Sequence, residues 1–196
     1  MALTVFAALL VALSSDVAAT ALGLVFSPAA FLSGWRDAPI VALLSPLVSQ
    51  GAQLGVFAAA FDAVLLLIAG RYVERVLGGV GLAMLFVVGA YGGALARLLL
   101  TPGSATPGFS GSGALFAIVG GYLMLYGIPR TLPITITGSR FKQVAALALL
   151  WAVVQGVFAL ASGALDMSVM LVEPLGGLAA GVAASRPLLA WKWRGA

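Results

Sequence analysis

Apolar residues in this chain run in long blocks, set apart by short clusters of Gly, Pro, Ser and charged side chains. Six blocks approach the roughly 20 residues that a bilayer-spanning helix requires. They cover 3–24, 50–69, 79–100, 111–128, 143–162 and 168–190, and each is predicted to be a transmembrane helix. The connections differ in character. Residues 25–49 are expected to form a long mixed loop whose apolar tail is re-entrant or interfacial. Gly70 to Gly78 reads as a tight polar turn, and 101–110 as Pro/Gly/Ser punctuation. Residues 129–142 carry Pro129, Arg130, Pro133, Arg140 and Lys142.

Composition agrees with a membrane setting. Hydrophobic residues make up 62% and charged residues 8%, with a mean hydropathy of +1.15; a soluble domain carries about a quarter charged residues. The fold class expected is therefore an all-α polytopic membrane protein, with residues 1–196 as a single membrane domain. Met1 to Leu24 lacks a basic stretch before its apolar run and is expected to be a retained first helix. The chain has no Cys and no His, which excludes disulfides, thiol nucleophiles and any chemistry that depends on an imidazole. With six scattered acids besides, neither a metal site nor a cofactor is expected. The net charge of +4 comes from ten basic residues without a cluster along the sequence, so no nucleic-acid partner is expected. These cations report topology instead. A cytoplasmic N-terminus puts Arg71, Arg75, Arg130, Arg140, Lys142, Arg186, Lys192 and Arg194 inside, and Arg36 and Arg97 outside. Eight against two predicts an N-in, C-in chain. Trp191 and Trp193 read as an interfacial anchor.

The fourth block opens as Ser110-Gly-Ser-Gly-Ala-Leu-Phe-Ala-Ile-Val-Gly-Gly-Tyr-Leu-Met-Leu-Tyr126. First-turn amides lack intrahelical acceptors and can donate to an oxyanion, and small residues let helices approach closely. This stretch resembles the nucleophile helix of rhomboid intramembrane serine proteases, whose pattern is Gly-x-Ser-Gly followed by small and aromatic residues. Glu173-Pro-Leu-Gly-Gly-Leu-Ala-Ala-Gly181 is similar to the rhomboid segment Ala-His-x-Gly-Gly-x-x-x-Gly. Ser27-Pro-Ala-Ala, followed by Gly34-Trp-Arg36, resembles the family's first loop with its Trp-Arg pair. Gly70-Arg-Tyr-Val-Glu-Arg and Gly78 resemble the Gly…Glu…Gly turn after helix two. Order and spacing carry the resemblance over nearly the whole chain. It implies a six-helix rhomboid-like bundle, N-in and C-in.

The same resemblance locates what is missing. Gly108-Phe-Ser110-Gly111 satisfies the serine motif literally, but the run from Gly113 then falls two residues out of step. Aligning that run puts the nucleophile position at Ser112, with Ser110 as the other candidate. On the sixth helix Gly176, Gly177 and Gly181 set the register, and the histidine position holds Pro174. A serine hydroxyl needs a neighbouring base, and proline has no titratable group. The family's His-x-x-x-Asn pair on helix two falls on Ala58 and Asp62 in one register, and on Gly55 and Ala59 in the other. No catalytic residue is expected, and Ser112 reads as a vestigial position that packs or caps its helix. Glu173 neighbours the histidine position, but adjacent helical residues point about 100° apart.

Asp16, Asp62 and Glu173 lie within apolar spans, where acids are costly unless they face a cavity or a partner. Asp62 is expected to be the deepest, and Glu173 to be wetted at a helix end or bonded to backbone. Trp35 and Arg36 read as an interfacial anchor, with partner recognition as the alternative. Gly177 to Gly181 forms a small-xxx-small pattern suited to packing on the fourth helix, and Gly111, Gly113 and Gly176 belong to the same packing set. The resemblance implies a pseudoprotease of the bacterial inner membrane. Its partners would be lipid and the transmembrane helices of other proteins, as in an accessory subunit. Two alternatives stay open: an active serine protease using Ser112 with a non-histidine base, and a small transporter using the intramembrane acids.

Overall fold

The computed structural model describes residues 24–51, 56–108, 112–127, 139–162 and 171–194, with backbone alone at 56–59, 61 and 154–162. The regular structure among the described residues is helical throughout. Helix α1 spans Pro28–Gly34, α2 Pro39–Gly51 and α3 Val56–Leu65. A π-helical turn over Leu66–Gly70 leads into α4, Arg71–Leu100. Helices α5 (Ser112–Tyr126), α6 (Arg140–Ser162) and α7 (Glu173–Trp193) follow. The block expected at 3–24, with Asp16 in it, lies outside the described residues, as do Ser110 and Gly111.

Two connections differ from expectation. Most of 25–49, read as a loop, is helical. The Ser27 hydroxyl accepts from the Ala30 amide at 3.3 Å, ahead of Pro28 at the first helical position, which starts α1. In α2 the hydroxyls of Ser45 and Ser49 donate to the Ala42 and Ser45 carbonyls at 2.8 and 2.7 Å. Residues that read as loop signals are thus satisfied within the helix. The polar turn at 70–78 is also helical, up to Gly78. There φ is 77° and ψ is 173°, a conformation that glycine adopts without a Cβ clash. Both limbs line α5, because Tyr72 packs on Tyr122 and Tyr126 while Leu85 and Gly89 face Gly121 and Ala117. The chain therefore turns at Gly78, and its first limb returns beside its second.

Helices α4, α5 and α7 form the centre, and glycines set their spacing. A methyl group at Gly177 or Gly181 would run into the α5 backbone at Gly113 or Ala117. At Gly176 it would meet Ala96 and the Gly92 carbonyl of α4, and at Gly113 the Gly89 carbonyl at 3.0 Å. Lipid is as apolar as leucine, so such close van der Waals contact between backbones holds membrane helices together. Below the glycines, Leu66, Val73, Leu77, Leu85, Leu115 and Ile118 pack as one buried cluster. Helix α6 docks on α5 through Phe116 and Trp151, whose ring centroids are 4.7 Å apart. Ile68, Val80, Leu95, Leu99, Leu149 and Val153 face outward, as a lipid-facing surface requires. Among the described residues, the helical run Asp62–Leu100, which turns at Gly78, is by length and composition apolar enough to cross a membrane.

Candidate functional site

Four helix ends converge above the glycine contacts: the C-terminal ends of α2 and α4 and the N-terminal ends of α5 and α7. They bring Gln50, Arg97, Ser112 and Glu173 into one buried polar centre. Glu173 is 2% exposed and Arg97 0%. Arg97 Nη1 lies 3.3 Å from Glu173 Oε2. Gln50 Nε2 donates to Glu173 Oε1 and to the Pro46 carbonyl, each at 3.2 Å. Gln50 Oε1 in turn accepts from the Ala114 amide at 2.9 Å, which caps α5 with a side chain from another helix. Arg97 Nη2 donates to the Thr106 carbonyl at 2.6 Å, and the guanidinium lies 5.7 Å above the Phe26 ring. A buried charge is costly unless it is paired and its remaining donors and acceptors are satisfied. The helix dipoles help as well, since the acid sits in the first turn of α7 and the base in the last turn of α4.

Two non-helical stretches roof the centre. The Phe26 amide donates to Ser49 Oγ at 2.8 Å, and the Gly108 amide to the Phe26 carbonyl at 2.9 Å. The Ala29 amide donates to the Ser104 carbonyl at 3.1 Å, so the α4–α5 loop is pinned both to the first turn of α1 and to the segment before it. Gly108 lies directly against the ion pair. A Cβ there would stand 2.7 Å from Arg97 Nη1 and 2.9 Å from Glu173 Oε2. The stem of Glu173 lies on Gly93, where an added Cβ would stand 2.9 Å from Glu173 Cγ.

Ser112 is the first residue of α5, and its Oγ lies beside the Glu173 carboxylate. That oxygen is sealed from solvent, without a hydrogen bond of acceptable geometry among the described residues. Pro174 is buried at the second position of α7, one helical turn before Gly177 on its contact with Gly113. Glu173 requires a correction. It is not wetted at its helix end, because it is buried and its carboxylate accepts from Arg97 and Gln50. Sequence reasoning missed both of those partners. The sequence pattern marks Arg97 only as an outer topology residue and Gln50 only as the edge of a block, although a polar residue within an apolar run is itself a signal. Asp62 stays half-buried on α3, outside this centre. Trp35 packs on Phe31 with ring centroids 5.7 Å apart at the end of α1, with Arg36 exposed beside it, and neither reaches Glu173.

Chemically, the centre is closed upon itself. Its carboxylate is bound by two donors, and the Ala114 amide at the start of α5 is already taken by Gln50. No curated protein and no solved structure matches the chain. The family model described as Rhomboid domain matches residues 49–191. With most of its length covered by that match, the chain belongs to the rhomboid family and is an integral membrane protein.

Proposed function

We propose that this rhomboid-family chain is a pseudoprotease that binds the transmembrane helices of partner proteins. In this reading it serves as an accessory or assembly subunit of a larger complex in the bacterial inner membrane, as a six-helix bundle with both termini inside. The observation that carries the reading is the closed polar centre. Beside Pro174, the position that matches the family's histidine, the available carboxylate is tied to Arg97 and Gln50. Gln50 also occupies the Ala114 amide, one of the first-turn donors at the start of α5. The outward apolar side chains of α4 and α6, among them Leu95, Leu99, Leu149 and Val153, supply a surface on which another helix can pack.

One observation speaks for an active protease: Ser112 Oγ lies beside Glu173. To take the serine's proton, however, the carboxylate must give up its negative charge, leaving a buried guanidinium without its counter-ion. Purification from native membrane in gentle detergent tests the proposal. A companion chain in stoichiometric yield is expected, together with no cleavage of a model transmembrane substrate. A lone chain that cleaves the substrate would overturn it.

A further inference from the structure

At the opposite end of the same three-helix core, the fold gathers cations that are scattered in the sequence. Arg71 and Arg75 start α4, Arg140 and Lys142 start α6, and Arg186, Lys192 and Arg194 end α7. All seven are exposed, and Glu74 is the acid that the α4 end places among them. Hydrogen bonds and a cation–ring contact join these helix ends into one rim. The Tyr126 hydroxyl donates to the Tyr72 carbonyl at 3.1 Å, linking α5 to α4. Lys192 Nζ donates to the Val76 carbonyl at 2.8 Å, linking α7 to α4 beside the Gly78 turn. Arg140 donates to the Met124 carbonyl, linking α6 to α5, and the Arg186 guanidinium lies 5.8 Å from the Phe141 ring, linking α7 to α6.

We infer that this rim is a binding surface for the phosphodiester headgroups of anionic phospholipids. Four of the cations are already held on a carbonyl or a ring: Arg75 over Tyr72 at 5.6 Å, Arg140, Arg186 and Lys192. Side chains so held lose less conformational freedom on binding, and each retains N–H donors for a phosphate. Arginine's planar fork suits two phosphate oxygens at once. Exposed Tyr72, Tyr126, Phe141, Trp191 and Trp193 are interleaved with the charges. Amphipathic rings of this kind sit at headgroup depth, which places the cations beside lipid phosphates. Exposed apolar side chains flank the rim, Val80 on α4 and Leu149 and Leu150 on α6 among them, so it suits a lipid whose chains run down those faces better than a free anion.

The full chain in neutral detergent is titrated with phosphatidylglycerol or with phosphatidylcholine, following Tm and lipid adducts by native mass spectrometry. Phosphatidylglycerol is expected to raise Tm and remain bound, and phosphatidylcholine to do neither. The triple variant Arg75→Gln, Arg186→Gln, Lys192→Gln is expected to weaken phosphatidylglycerol binding about tenfold or more. Arg36→Gln, at the other end, should leave it unchanged. Equal shifts with both lipids, or full binding by the triple variant, would overturn the inference. So would an equal shift with millimolar inorganic phosphate, which would assign the rim to a soluble anion. Should the triple variant not fold, salt decides: the wild-type shift must shrink steeply as ionic strength rises, and a salt-independent shift overturns the inference.

Discussion

The two ends of the α4–α5–α7 core handle charge in opposite ways. At one end a single acid and a single base are buried against each other, at 2% and 0% exposure, and roofed by loops. At the other, among the described residues, seven cations stand in the open around one acid. The buried end shapes the fold, because an unmatched charge there has no solvent to turn to. The exposed end scarcely affects the fold and is suited to meeting something outside it. The difference separates an internal closure from an external contact surface.

Breaking the buried pair should have the largest effect. Arg97→Leu leaves the Glu173 carboxylate uncompensated and should lower stability by about 3–5 kcal/mol, read by reversible unfolding in mixed detergent. The double variant Arg97→Leu, Glu173→Leu should lose less than Arg97→Leu alone, since no orphan charge remains. A double variant as unstable as the single would show that packing, not charge, fixes this end.

Next in size is the glycine seam that joins the two ends. Gly177→Ala pushes a methyl into the Gly113 backbone and should cost about 1–3 kcal/mol. Gly103→Ala meets open space and should be near neutral in the same assay. Equal effects at the two positions would remove the seam from the account. Gln50→Ala follows, at about 1–2 kcal/mol, because it strips the cap from the Ala114 amide and one donor from Glu173. Smallest is the exposed rim. Without lipid, each of Arg75→Gln, Arg186→Gln and Lys192→Gln should change stability by less than about 0.5 kcal/mol. A larger loss would mean that the rim cations hold the fold together.

How far the molecule could be read beforehand follows the same division. Long apolar blocks are a local signal, and α5 and α6 overlap the blocks at 111–128 and 143–162. Small residues at a spacing of four, Gly177 and Gly181, also point to close packing before any partner is known. The polar centre was only half legible. Ser112 and Pro174 could be placed from motif register, but Gln50, Arg97 and Glu173 are far apart in sequence, and only the fold brings them together. Asp62 drew attention as the deepest acid, yet depth within a block says nothing about which face of the bundle a residue takes. The segment 25–49 misled because Pro, Ser and Gly mark loops in general, whereas here Pro28 and Pro39 begin helices and Ser45 and Ser49 bond back to their own turns. Gly78 was legible as a glycine in a turn, but not as the whole of it.

The closed centre is tested most directly by exposing the purified, folded chain to a fluorophosphonate probe, beside Ser112→Ala. With Glu173 bound to Arg97 and Gln50, and the Ala114 amide already taken, the account predicts no labelling of either protein. Labelling of the wild-type chain that disappears in Ser112→Ala would contradict it.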